Sequence, residues 1–419
     1  MFQALDHAVT RHSAGALKFL ESLVQCPSTM GQEQSALEVF AKEVGGLGLE
    51  VSRLPFPNGP VDHPAAGLAP DPTQMADGRF QVLATSKGQG PLHLLLNGHM
   101  DVVPASAEAN WLSPPFKPTQ RNGRLFGRGA ADMKCGFAVG VLALRSLQDV
   151  APELFAHRRI GFFAAIEEEC GGNGTLLAGL HHGVTAREVV VLEPTNLDLL
   201  VGGVGVLWVD AILATRAGHA HAAHDCPNAI DLGMQLFVVL KDWVADVSRQ
   251  STDPALGEGA ARLAVNLGKV DAGDWTSSVP SRAVFSFRVA FPRAWTPQDA
   301  EQRLRAVVAQ ALPEGQATLV LTGFRASGYC VNSDTALVRD LAAAHLHAHG
   351  VEPKQYALAS TTDARTYLNT FGVPAVCFGA TGHDLHGVDE SVEIDSIAAA
   401  ARTLARFILM RFDDGQVPA

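Results

Sequence analysis

Three short runs in this chain are apolar almost without interruption: LHLLL at 92–96, IGFFAAI at 160–166 and VVVL at 189–192. A strand with one wet face alternates apolar and polar residues. A strand covered on both faces has no such need, so runs of this kind belong at the centre of a sheet layered between helices. The segment FQVLATS at 80–86 reads as a further buried strand. Each of the three runs ends abruptly on polar residues, NGHMD, EEE and EP.

Helical spacing of apolar residues fills the intervals: 14–26, 33–44 with glycines at its end, 135–149 and 333–349, with FGVPAVCFGA at 371–380 as a late strand. Alternation of strand and helix predicts an open, mostly parallel α/β sheet. After Asn196 the pattern changes. GVLWVDAILATR alternates, NAIDLGMQLFVVLKDWVADV is an amphipathic helix, NLGKV and SRAVFSFRVAF are strands, TPQDAEQRLRAVVAQAL is a helix and ATLVLTGF a last strand. That β-α-β-β-α-β order is a split βαβ unit. The expected architecture is a catalytic α/β domain, 1–205 and 324–419, interrupted by a smaller ferredoxin-like α+β domain at 206–323. The Pro-, Gly- and Asp-rich stretch 58–79 is expected to be loop. A chain of 419 residues exceeds what one core usually supports, in keeping with two domains.

Composition excludes several roles. A net charge of −11 without a basic stripe argues against nucleic-acid binding. Six cysteines without a CxxC give neither a disulfide framework nor a thiolate zinc site, and fit a reducing compartment. The first residues lack the pattern of a secretory signal, and there is no apolar run of about 18 residues. A cytoplasmic protein without membrane partners is expected.

Four polar clusters stand at strand ends or in the loops after them: His99 and Asp101 in LLLNGHMDVVP, Asp132 in GRLFGRGAADMKCG, Glu167, Glu168 and Glu169 in AAIEEECGG, and Glu193 in VVVLEPTN. Open α/β sheets bind ligands past the carboxyl ends of their strands. In extended chain, positions two apart share a side. Asp101 can therefore accept a hydrogen bond from one imidazole nitrogen of His99 while the other binds a metal. Three adjacent glutamates repel one another unless a cation sits among them. Taken singly, each cluster also reads as a loop, a cap or a solvated face. Together, carboxylates and imidazoles without thiolates suit a hydrolytic zinc, cobalt or manganese centre. Spacing does not assign individual roles.

The motifs GHMDVVPA, GRGAADMKCG, EEECGGNGT, LEPTN and HGVDESV, in that order, resemble those of the co-catalytic zinc aminoacylase/carboxypeptidase family. That group includes acetylornithine deacetylase, succinyl-diaminopimelate desuccinylase and aminoacylase. The resemblance implies two divalent ions per chain, zinc or else cobalt or manganese. It puts His99 and Glu193 on one ion, Glu169 and His386 on the other, and Asp132 between them. It makes Glu168 the general base and Asp101 the support of His99, and implies a cis peptide after Asp132. His386 is preferred to His383 because it directly precedes GVDES. Cys135 is an extra residue between Lys134 and Gly136, and Glu167 stands where the family has aspartate.

Within RAGHAHAAHDCPNAID, His219 and Asn228 match the family's lid histidine and asparagine, with Cys226 in place of a glycine and His221 and His224 as rivals of His219. The family's lid domain forms a homodimer whose histidine reaches the partner's active site. Arg288 in FSFRVAF matches an arginine for the substrate α-carboxylate, and Asp363 in STTDAR falls on a substrate-pocket loop. The implied activity is metal-dependent hydrolysis of an N-acyl amino acid, acetylornithine deacetylase-like. A dipeptidase, carboxypeptidase or desuccinylase of the same family is the alternative. A catalytically silent binding protein would have lost a ligand or the base, and neither loss is seen.

Overall fold

The computed structural model describes residues 1–57, 59–68, 78–251, 253 and 263–412, so the expected loop 58–79 falls partly outside the described residues. The main sheet runs Glu50–Pro55, Phe80–Thr85, Ile160–Ala165, Leu94–His99, Val189–Val191, Ala375–Cys377, Leu199–Gly203, Tyr329–Cys330, with Gln355–Leu358 also pairing with Leu199–Gly203.

The middle four strands, from Ile160–Ala165 to Ala375–Cys377, are parallel. Their flanks are antiparallel, at Glu50–Pro55 and Phe80–Thr85 on one side and at Leu199–Gly203 and Tyr329–Cys330 on the other. The sheet is therefore mixed, not mostly parallel. A parallel neighbour needs a crossover connection, usually helical. No helix intervenes among the described residues between Glu50–Pro55 and Phe80–Thr85, and this pair is antiparallel.

The apolar runs are buried on both faces because successive side chains point to opposite sides. Leu94, Leu96, Phe162 and Val190 enter one core, with helices Phe2–Val24, Lys134–Val150 and Ile394–Phe412. Leu95, Phe163, Val189 and Val191 enter the other, with Ala178, Ala364 and Tyr367. Helix Lys134–Val150 presses closely on the strand end at Leu192. A Cβ on Gly136 would stand 2.2 Å from the Leu192 carbonyl oxygen, so only glycine permits this approach.

The segment after Gly203 forms a separate, wholly antiparallel sheet in the order Val265–Ala272, Arg282–Phe291, Gly205–Ala214, Ala317–Ala326. Helices Ala229–Gln250 and Pro297–Ala311 cover one face, packing Leu236, Leu240 and Leu304 against Val209, Ala211 and Phe285. The other face carries Trp208, Asp210, Ser286 and Arg288 toward the main sheet. Among the described residues no helix is long and apolar enough to cross a membrane.

Candidate active site

Three adjacent parallel strands deliver the polar clusters to one place. His99 ends Leu94–His99, Glu167 to Glu169 follow Ile160–Ala165, and Glu193 follows Val189–Val191. Asp132 arrives from the turn before helix Lys134–Val150, across a cis Asp132–Met133 peptide. His99 Nε2 lies 3.2 Å from Asp132 Oδ1 and 4.0 Å from both Glu168 Oε2 and Glu193 Oε1. His386 Nε2 lies 3.3 Å from Asp132 Oδ2 and 3.1 Å from Glu169 Oε2. Asp132 thus stands between two imidazoles, with its two oxygens facing different ones. Ligand atoms of His99, Asp132 and Glu169 all lie within 4.8 Å of one another, a spacing that could hold a metal ion. His383 is not part of this group, since its Nε2 meets Glu393 at 2.9 Å.

Further residues set these positions. Arg79, itself buried, donates to Glu167 at 2.6 Å and Glu33 at 2.8 Å. Glu167 therefore has a hydrogen-bonded arginine as partner, and only Glu168 and Glu169 turn toward the cluster. The Asp101 carboxylate lies 3.8 Å from His99 Nδ1, too far for a hydrogen bond; the Asp101 main-chain oxygen takes that place at 2.9 Å. The carboxylate instead accepts the N–H groups of Glu168 at 3.3 Å and Glu169 at 2.9 Å. Asp101 orients the glutamate turn, and supports His99 through its backbone.

Glu390, wholly buried, accepts the N–H groups of Gly129, Ala131 and Asp132 and pairs with Arg128. Arg128 also donates to the carbonyls of His386 and Gly387. Arg365 reaches Glu168 at 3.7 Å, and a Cβ on Gly172 would lie 1.5 Å from its Nη2, so the glycine makes room for the guanidinium. Arg79, Arg128, Arg365 and Glu390 were absent from the expected site. Three of them lie inside the quoted motifs GRG, DES and DAR, but which buried charges pair depends on chain segments hundreds of residues apart.

The electrostatics fit a bound cation. Burial pushes Glu193 up to about 8, with His99 opposing. Burial likewise lifts Glu168 well above the usual carboxylate range, again against His99. Asp132 is held low despite its burial by the hydrogen bonds of His386 and His99. Four carboxylates therefore crowd a site whose nearest positive groups are two imidazoles and Arg365. A buried carboxylate without compensation is costly, and a cation held among His99, Asp132 and Glu169 would compensate it.

The cluster floors a cavity of about 910 Å³ between the two sheets. Arg288 lines it, its Nη2 fixed by the Ala359 carbonyl and Ser360 Oγ, both at 3.0 Å. Other expected residues lie elsewhere. Asp363 is fully buried at the start of helix Ala364–Thr370, and the lining is made by its neighbours Ser360, Thr361 and Thr362. Asn228 caps helix Ala229–Gln250 through a 2.8 Å bond from the Ile230 N–H. His219 is exposed on a two-residue strand paired with Ser278–Val279, its Nδ1 accepting the His221 N–H at 3.2 Å. Neither Asn228 nor His219 lines the cavity of its own chain.

The family profile described as Peptidase family M20/M25/M40 matches residues 95–410. A succinyl-diaminopimelate desuccinylase from Gluconacetobacter diazotrophicus is 28% identical over 412 residues, spanning 96% of this chain and 98% of its own. Among solved structures, a di-peptidase from Saccharomyces cerevisiae superposes with a TM-score of 0.76 at 13% identity, over 99% of both chains. An M20 family metallo-carboxypeptidase from Sulfolobus solfataricus gives 0.73 at 18% identity, over 94% of this chain and 98% of that one.

Proposed function

The chain belongs to peptidase family M20/M25/M40 and is a metal-dependent hydrolase, and from that premise we propose that it cleaves a short peptide or N-acyl amino acid whose leaving residue keeps a free carboxylate. The observation that carries this reading is Arg288. It is largely buried at the cavity wall, and no acidic side chain among the described residues pairs with it; burial alone pulls its pKa down. A cation in that state favours an anionic ligand group. The relatives are described as a desuccinylase, a di-peptidase and a carboxypeptidase. They move the reading away from an acetylornithine deacetylase and toward the peptidase and desuccinylase alternative.

In this reading His99 and Glu193 hold one ion, Glu169 and His386 a second, and Asp132 both. The ions are zinc, cobalt or manganese. When bound, they supply Lewis acidity toward the scissile carbonyl and its attacking water. Glu168, lying between His99 and Arg365, accepts a proton from the water and returns it to the leaving nitrogen. Arg365 keeps the Glu168 carboxylate turned to the cavity. Arg288 orients the substrate through its carboxylate, which supplies the positioning part of the rate.

Residues 206–323 act as a ferredoxin-like lid and dimerisation domain, flanked by catalytic segments 1–205 and 324–419. The strand order, with both helices on one sheet face, supports the fold assignment. His219, exposed and outside its own chain's cavity, is suited to complete the site of a second copy.

The test is a panel of N-acetyl and N-succinyl amino acids and dipeptides, run after chelator dialysis and after return of zinc, cobalt or manganese. The expected result is loss of all turnover without metal and recovery with about two ions bound per chain. Full activity in metal-free protein would refute the mechanism. Exclusive turnover of N-acetylornithine would restore the deacetylase reading.

A further inference from the structure

On one side of Arg288 the cavity wall is apolar, at Trp208, while on the other it is polar, at Asn266. Trp208 and Arg288 are direct partners across the antiparallel pair Gly205–Ala214 and Arg282–Phe291, and both line the cavity. Such partners have Cβ atoms about 4.5–5.5 Å apart, closer than the length of either side chain. The Trp208 ring meets the Phe324 ring edge-on, with centroids 5.3 Å apart.

Gly323 makes this arrangement possible. Its φ is +50°, and a Cβ there would stand 2.4 Å from Trp208 Cε3, so the indole lies flush on a bare backbone. The strand is irregular at the same point, its register shifting between Thr322 and Arg325. Leu68 is brought to this wall by its N–H bond to the Gly323 carbonyl at 2.7 Å, and it lines the cavity as well. Gly67, one residue earlier, exchanges two hydrogen bonds with the Asn173 amide, so the chain is tied at two successive residues. Trp208 and Phe324 thus pack together, with Leu68 lining the same cavity, next to the half-buried Arg288 guanidinium.

Resting on the hydrolase reading above, we propose that the leaving residue of the substrate carries a large apolar, preferentially aromatic, side chain beside its carboxylate. The carboxylate engages Arg288 and the side chain lies against Trp208, Phe324 and Leu68. An α-amino acid bears both groups on one carbon, which matches a cation and an apolar wall set side by side. A charged side chain against Trp208 and Phe324 would lose water to two aromatic rings, which offer it no hydrogen bond. Trp208 is then the specificity-determining residue.

The experiment compares kcat/KM for N-acetyl and glycyl derivatives of Phe, Leu, Ala, Glu and Lys, using metal-loaded wild type, Trp208→Ala and Trp208→Phe. Filling an apolar pocket typically discriminates by about 10–200-fold. Wild type is expected to prefer Phe to Ala by at least about 10-fold. Trp208→Ala should remove most of that preference, and Trp208→Phe should retain it. The Phe-to-Ala ratio is measured within one preparation, so it does not depend on how much of a variant is folded. Turnover of Ala, Glu or Lys derivatives as fast as Phe overturns the proposal, as does a Trp208→Ala variant that slows every substrate equally. If no derivative is hydrolysed, the acetyl and glycyl groups are not the acyl part of the substrate, and the subsite is tested by binding. Calorimetric binding of N-acetyl-phenylalanine against N-acetyl-alanine then decides the subsite alone: roughly 10-fold tighter binding of the former supports it, and equal binding overturns it.

Discussion

Glu390 accepts the backbone N–H of Asp132 at 2.9 Å, and through its other oxygen it pairs with Arg128, which in turn holds the carbonyl of His386. One buried carboxylate therefore ties together the two loops that meet at Asp132 and His386. Two elements far apart in the chain, 128–132 and 386–390, are registered by this one ion pair.

Replacing that carboxylate with an amide should loosen both loops. Glu390→Gln removes the charge from a pair with both members buried, and puts an amide N–H where an acceptor is needed. A stability loss of about 3–5 kcal/mol is expected, together with metal binding weakened by about 10–100-fold. Urea unfolding and a metal titration measure the two effects. Wild-type values in both would mean that Glu390 does not position the centre.

In the proposed mechanism, proton transfer depends on Glu168. Glu168→Gln should lower kcat by about 10²–10⁴-fold, with metal content and KM near those of wild type. Elemental analysis alongside steady-state kinetics separates the roles. A variant that loses its metal would make Glu168 a ligand, and one that keeps its rate would remove it from the chemistry.

His219 is expected to act on the second copy in a dimer. His219→Ala should lower kcat by about 10²–10³-fold if the imidazole stabilises the oxyanion. Its melting temperature should barely change, because the side chain is exposed. Mixing Glu168→Ala with His219→Ala subunits should then restore part of the activity, since one site of each mixed dimer has both groups. No recovery after proven subunit exchange would contradict the crossing. Loss of activity in His221→Ala but not His219→Ala would move the role two residues along.

Acid should weaken the packing of helix Ala336–His349 on helix Ile394–Phe412. Burial, helped by His349, pushes His345 down to about 4, and both rings contact the Thr403 hydroxyl. Above the ordinary histidine value of 6.5 the ring is neutral folded or unfolded, and its titration costs nothing. Between 6.5 and about 4 the unfolded chain takes up the proton first, so stability falls with pH across that window. The loss is on the order of 3 kcal/mol. His345→Gln should flatten this part of the stability curve relative to wild type. The metal centre titrates in both proteins and cancels in the comparison. Parallel curves for the two would show that His345 does not carry the effect.

Local patterning was enough to identify the central strands, the inserted β-α-β-β-α-β unit and the polar clusters that contain His99, Asp132, Glu169 and Glu193, whereas His386 followed only from the resemblance of HGVDESV to a family motif. The former rest on short-range signals: period-two or unbroken apolar runs, helical spacing, and polar residues at strand ends or in the turns after them. The antiparallel flanks of the main sheet were missed, because strand direction follows from how segments connect in space.

The pairing of charges was not legible either. Glu167 faces Arg79 and not the cluster, Asp101 uses its carboxylate on the glutamate turn, and Asn228 serves as a helix cap. A carboxylate looks the same in sequence whether its partner is an arginine, a main-chain N–H or a metal. What distinguishes them is which group reaches it when water is excluded, and that depends on contacts between segments such as 79 and 167, or 128 and 390. Residue types at strand ends therefore determined the chemistry available to this chain. Burial and long-range packing decided which of those groups face the cavity and which hold its walls.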